Sequence, residues 1–138
     1  MALNNIARAT QPIDFDGIGH NKTQATDIDA IMEYHDVLYI LYEVKYKDKE
    51  MTYGQRLCYE RLVKDLAVCG KPVIAMVCEH CASDTHDKIM LASCNVREFY
   101  SSNIMMWVKP QKPINVKALS NSFITKHGEG KDWRDYCG

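Results

Sequence analysis

The chain has 138 residues, 46% of them hydrophobic, enough to bury one core and too few for two domains of ordinary size. A formal net charge of -1 excludes a surface coated in basic residues, so any contact with nucleic acid must come from a local patch. No apolar run reaches the ~18 residues of a membrane helix, and the N-terminal MALNNIARATQPIDFDG lacks the basic and apolar regions of a signal peptide, so the expectation is a cytoplasmic protein with no membrane partner and with reduced thiols at its six cysteines.

Residues 1–25, rich in Asn, Thr, Gln and Gly without sustained periodicity, read as an irregular arm with a short helix near residues 4–10. Residues 26–126 carry the pattern of one α/β domain. Ile28, Ala30, Ile31 and Met32 lead into Glu33-Tyr34-His35-Asp36 and then into the apolar run 37–45, which predicts two strands joined by a tight turn near His35-Asp36. The second strand is apolar almost throughout, as expected of a central strand buried on both faces. Thr52-Tyr53-Gly54-Gln55 is a capping box, and Leu57, Cys58, Leu62, Val63, Leu66 and Ala67 continue it as an amphipathic helix that stops at Gly70.

Lys71-Pro72 opens the short strand 73–78, parallel to an earlier strand if the helix is its crossover. Residues 79–93 read as a loop with room for a short helix, 96–100 as a strand, and 104–108 as an edge element closed by Pro110 and Pro113. Residues 116–126 have helical spacing, and 127–138 form a polar C-terminal tail. The expected fold class is α/β, a central mixed β-sheet flanked by helices.

Strand alternation puts Val37, Tyr39, Leu41, Glu43 and Lys45 on one face, so an apolar stripe ends in an acid and a base. A three-residue loop, His35-Asp36-Val37, pairs Asp29 with Glu43 on that face; a two-residue turn opposes Asp29 to Tyr42 instead. Asp27 shares the parity of Asp29 and is the alternative first acid. Two converging carboxylates suit Mg²⁺ or Mn²⁺, which takes hard oxygen ligands and leaves room for a phosphate. Lys45 would then orient a water or stabilise developing negative charge. The plainer reading makes Asp29 a turn residue and Glu43–Lys45 a surface ion pair.

Lys45, Lys47 and Lys49, with Arg56, Arg61 and Lys64 on the helix, form either a phosphate-binding patch or a solvated charged face. Cys78-Glu79-His80-Cys81, with Cys94 or His86, has the outline of a zinc site. It lacks a second C-x-x-C or H-x-x-x-H, and a structural role is expected for Cys78 at the end of its apolar strand.

The segment TDIDAIMEYHDVLYILYEVKYKDKEMTYGQRLCYERL, residues 26–62, resembles the PD-(D/E)XK nuclease superfamily, in particular its small phage-type, Holliday-junction-resolvase-like and VRR-NUC-like members. The resemblance implies a restriction-endonuclease-like core, with Asp29, Glu43 and the Val44 carbonyl as metal ligands and Lys45 as the catalytic lysine. Gln55 and Tyr59 match a Q-x-x-x-Y pattern associated with the active site and DNA; the capping box alone also accounts for Gln55, and Tyr59 reads equally as a core residue of the helix. Lys47, Lys49, Arg56 and Tyr59 become the nucleic-acid contacts. The implied function is a Mg²⁺- or Mn²⁺-dependent DNA endonuclease using a metal-activated water, with branched DNA among its substrates, pairing into a homodimer and phage-encoded in a host cell. Ile28 stands where many members carry Pro, and residues 1–26 contain no Glu, leaving Asp14 or Asp16 as the upstream acid. The alternatives are a catalytically inactive binding protein on the same fold, such as a phage inhibitor or nucleic-acid-binding module, and a zinc-stabilised interaction domain.

Overall fold

The structure, a computed structural model, describes residues 10–128, so the helix expected near residues 4–10 and the tail beyond Gly128 lie outside the described residues. Five strands, β1 (Ala30–Tyr34), β2 (Leu38–Tyr46), β3 (Val73–His80), β4 (Asn95–Ser101) and β5 (Trp107–Val108), form one sheet in the order β1-β2-β3-β4-β5. Helix α1 (Tyr53–Ala67) is the crossover between β2 and β3, which are parallel; the other neighbouring pairs are antiparallel. The α/β class and the mixed sheet flanked by helices are as the sequence predicts. The expected loop after β3 contains a single 3₁₀ turn at Leu91–Ser93, and helix α2 (Val116–His127) closes the described chain.

The two helices cover opposite faces of the sheet. On one face, Leu38, Ile40 and Tyr42 of β2 and Ile74, Met76 and Cys78 of β3 pack with Val116 and Phe123 of α2. On the other, Leu41 of β2 and Val73, Ala75 and Val77 of β3 pack with Tyr59 and Val63 of α1. β2 and β3 therefore lie between two apolar layers, which is why their sequences read as nearly continuous hydrophobic runs. The Tyr42 hydroxyl reaches the Ser120 Oγ at 2.9 Å, so the one polar tip of β2 that enters the α2 layer is satisfied there.

The turn between β1 and β2 sets the register. His35 and Asp36 both adopt left-handed φ, 47° and 62°, and the Val37 N–H donates to the Tyr34 carbonyl at 2.7 Å. Pairing resumes only at Tyr34–Leu38, leaving Val37 as an extra residue, so the loop is the three-residue form. Strict alternation assigns Val37 to the face of Leu41 and Glu43. Instead it is fully buried beside Leu38 in the opposite layer, because the extra residue breaks the alternation.

The capping box at the start of α1 is formed in both directions: the Thr52 Oγ1 accepts from the Gln55 N–H, and the Gln55 Oε1 accepts from the Thr52 N–H, each at 3.1 Å. Among the described residues, no helix is long and apolar enough to cross a membrane.

Leu41 is fully buried between the sheet and α1, so Leu41→Ala should lower unfolding stability by about 2–5 kcal/mol. Ile31→Ala, on the exposed part of β1, should change it by less than about 0.5 kcal/mol. Urea denaturation distinguishes the two, and equal effects would contradict the packing of α1 on β2.

Candidate active site

The site is built where β2 leaves the core. Because Ala30 pairs with Tyr42, Asp29 is the next position along and stands opposite Glu43. The carboxylate of Asp29 bends onto β2 and accepts from the Val44 N–H at 2.7 Å. A residue in a strand directs its N–H and C=O to the same edge, so the Val44 carbonyl leaves β2 on the side occupied by Asp29. Asp27 is close enough to influence Glu43 electrostatically but, unlike Asp29, takes no hydrogen bond from β2.

Glu43 points into the α1 layer and is only 3% exposed. The buried Tyr59 hydroxyl donates to its Oε2 at 2.5 Å, while the Lys45 Nζ lies 3.6 Å from its Oε1. Lys45 in turn donates to the Gln55 Oε1 at 3.1 Å, so one amide oxygen serves both the helix cap and the lysine. The capping and active-site readings of Gln55 are thus compatible. The four-residue spacing of Gln55 and Tyr59 places one on Lys45 and the other on Glu43. Tyr59 is 1% exposed with its hydroxyl committed to Glu43, so of its two readings the structure gives the core one: it lies beneath the site and holds the acid from inside.

Burial pushes the Glu43 carboxyl above the usual carboxylate range; donation from Tyr59 opposes this, the Asp29 charge adds to it and Lys45 pulls back. Burial also pushes the Tyr59 phenol up, and its bond to Glu43 adds to that, so Tyr59 acts as a neutral donor. Asp29, the Val44 carbonyl and Glu43 are hard oxygens on two neighbouring strands at this end of the sheet, the ligand type that Mg²⁺ or Mn²⁺ takes, since such ions keep several waters and need only one or two carboxylates. Among the described residues there is no group of three or more His, Cys, Asp or Glu side chains able to hold a metal.

A wall of paired charges stands beside these groups on β4. A bulge between Val77 and Cys78 of β3 leaves Arg97 as the extra residue of β4. Arg97 donates to Glu79 at 2.9 and 3.0 Å and to the backbone carbonyls of Lys49 and Tyr46, fastening the lysine-rich loop after β2 to the sheet. Arg56 donates to Glu98 at 2.5 Å and lies over the Trp107 ring, 4.8 Å from its centroid, so its charge is already matched. Lys47 and Lys49 remain exposed on the fastened loop, with no side-chain ion pair among the described residues. Arg97 and Glu98 were missed by sequence reasoning because a bulge leaves no mark in the pattern of a short strand.

The cysteine cluster does not assemble. Cys78 is buried at the end of β3, its thiol pushed up to about 12 by burial, whereas Cys81 is exposed in the following loop. The His80 Nδ1 accepts from the Ala82 N–H.

No family model, curated protein or solved structure matches this chain.

The raised carboxyl of Glu43 carries a stability cost with a definite sign. The folded state holds this proton to higher pH than the unfolded chain, so its contribution is full below the unfolded value near about 4.3 and is lost as pH rises through the folded value. Glu43→Gln removes that loss and keeps an acceptor for Tyr59. The variant should be at least as stable as the parent at neutral pH, with a flatter stability–pH curve above pH ~4.3. Urea midpoints across pH test this; a Glu43→Gln variant destabilised at neutral pH but not in acid would contradict the cost assigned to the charged form.

Proposed function

We propose that this protein is a divalent-metal-dependent nuclease with a restriction-endonuclease-like core, hydrolysing DNA phosphodiester bonds endonucleolytically. The observation that carries the reading is the convergence of Asp29 and Glu43 at one end of β2, with Lys45 tethered beside them by Gln55. An acid pair with a nearby base also serves ordinary ion pairing. A 3%-exposed glutamate paid for by desolvation is a poor stabiliser, however, and such perturbed groups gather at functional sites.

Asp29, Glu43 and the Val44 carbonyl would hold the metal. Bound there, the ion would supply Lewis-acid polarisation of a phosphoryl oxygen and make a water more acidic. Lys45, held between Glu43 and Gln55, brings positive charge to the phosphoryl oxygens as negative charge grows on them. Tyr59 fixes the Glu43 carboxylate from below, leaving Oε1 turned toward Lys45. In the net reaction the water oxygen bonds to phosphorus, the bond to the leaving ester oxygen breaks, and one water proton ends on that oxygen. Lys47 and Lys49 supply phosphate contacts from the loop fastened by Arg97.

A second reading, an inactive nucleic-acid-binding protein on the same fold, is favoured by the absence of a three-ligand acidic or imidazole cluster among the described residues. Cleavage of single-stranded, duplex and four-way-junction DNA with Mg²⁺ or Mn²⁺ decides between them. Glu43→Ala and Lys45→Ala should each lower the rate by about 10²-fold or more. Binding without metal-dependent cutting would establish the second reading instead.

Tyr59→Phe takes away the donor that holds the Glu43 carboxyl down, so the acidic limb of the pH–rate profile should move to higher pH while activity on the plateau is largely kept. An unmoved limb would remove Glu43 from the titration that controls rate.

A further inference from the structure

Two residues beyond the Glu43–Val77 pair, the parallel register of β2 and β3 sets Lys45 opposite Glu79. Val77 packs in the α1 layer, so by alternation Glu79 leaves β3 on that face, and Lys45 is bound to Gln55 of α1 on the same side. Neighbouring strands lie about 4.8 Å apart, which makes Glu79 the carboxylate beside Lys45 on the next strand. The two nevertheless form no ion pair among the described residues. Lys45 turns to Gln55 at 3.1 Å and toward Glu43 at 3.6 Å, while Glu79 is taken by Arg97.

The β4 bulge is what allows this. Glu98 stands opposite Val77 and Val96 opposite Cys78, so Arg97 lies between them with no partner on β3. It reaches Glu79 with both Nε and Nη2, at 3.0 and 2.9 Å on the same carboxylate oxygen. Nη1 donates to the Lys49 carbonyl, and Nη2 also approaches the Tyr46 carbonyl at 3.4 Å. A guanidinium is a planar fork of five N–H donors, so one side chain serves the carboxylate and the loop together, which a lysine ammonium on a flexible stem could not. The side chains of Arg97 and Glu79 are 14% and 29% exposed, so this contact is largely withdrawn from solvent.

We infer that Arg97 is a positioning residue of the site: it holds the Glu79 carboxylate away from Lys45, and through the same guanidinium it fixes the direction of the loop that presents Lys47 and Lys49. The inference rests on the nuclease reading for what those lysines do. Without Arg97, Glu79 loses its cation, and the next one across the sheet is Lys45. A Lys45–Glu79 bond would then have to break before Nζ could meet the negative charge growing on a phosphoryl oxygen. The loop would be released at the Lys49 and Tyr46 carbonyls while keeping its bond of 2.9 Å from the Lys47 N–H to the His80 carbonyl. Two separable effects follow, one on the chemical step and one on binding.

Steady-state DNA cleavage by the full chain with Mg²⁺ or Mn²⁺ separates them. Arg97→Met should lower kcat by about tenfold, the equivalent of one charge-assisted hydrogen bond, and raise KM by about threefold or more as the loop lysines lose their fixed direction. Adding Glu79→Gln to Arg97→Met should restore most of kcat, because no carboxylate is left to take Lys45, and leave KM raised. A residue that merely stabilised the fold would give no such rescue. Arg97→Lys keeps a cation for Glu79 without the fork, so it should hold kcat and still raise KM. A second readout needs no cutting. The shifts in urea midpoint from Lys45→Met and Glu79→Gln should add when Arg97 is present, and in the Arg97→Met background the pair together should cost less than the sum of the two. Additive shifts in both backgrounds, or a parent that cuts with a kcat that Arg97→Met leaves alone or that Glu79→Gln fails to restore, overturn the inference. A parent that never cuts, with coupling that appears only without Arg97, keeps the role of Arg97 toward Lys45 and removes the hydrolytic reading.

Discussion

One extra residue governs this structure. His35 and Asp36 make the reversal between β1 and β2, and Val37 is left over, fully buried against Leu38 and Ile40. Burying a valine contributes roughly 1.5–3 kcal/mol, enough to hold the offset register against the tighter two-residue turn. The consequence appears at the other end of the hairpin, where Asp29 falls opposite Glu43 rather than Tyr42. Tyr42 faces α2 and is bound to Ser120, so a one-residue slip would send the aspartate toward the wrong layer.

The remaining geometry converges on Glu43. The sheet holds it on β2, between β1 and β3, α1 lowers Tyr59 and Gln55 onto it and its neighbour Lys45, and burial makes its charged form costly. The β4 bulge serves the same end by a different route. It frees Arg97 to hold the loop after β2 at two carbonyls while Glu98 occupies Arg56, so the cations nearest the acids are fixed in direction and the exposed ones lie farther out along the loop.

Most of this fold was legible because its signals are local. The apolar runs at 37–45 and 73–78 announce central strands, and Thr52-x-x-Gln55 announces where α1 begins. The pairing of Asp29 was legible only as a choice between two registers, since nothing in His35-Asp36-Val37 itself says that Val37 will turn inward; that depends on space in the α2 layer. Alternation misplaced Val37 for the same reason. Tyr59 fitted both a motif and a core position, and only its hydrogen bond to Glu43 joins the two readings. The likeness to PD-(D/E)XK nucleases rests on residues 26–62, and the sheet order and site geometry now give that proposal concrete distances to test.

The residues that meet at the site, from Asp29 through Glu43, Lys45 and Gln55 to Tyr59, all come from one uninterrupted piece of chain, a hairpin followed by half a helix. β3, β4 and α2 supply the bed on which that piece rests and the wall beside it. The molecule is therefore modular in an asymmetric way. Changes in the loops and surface of the second half leave the spacing of these side chains untouched, whereas a single insertion or deletion between Asp29 and Glu43 would change the register and move Asp29 away from Glu43.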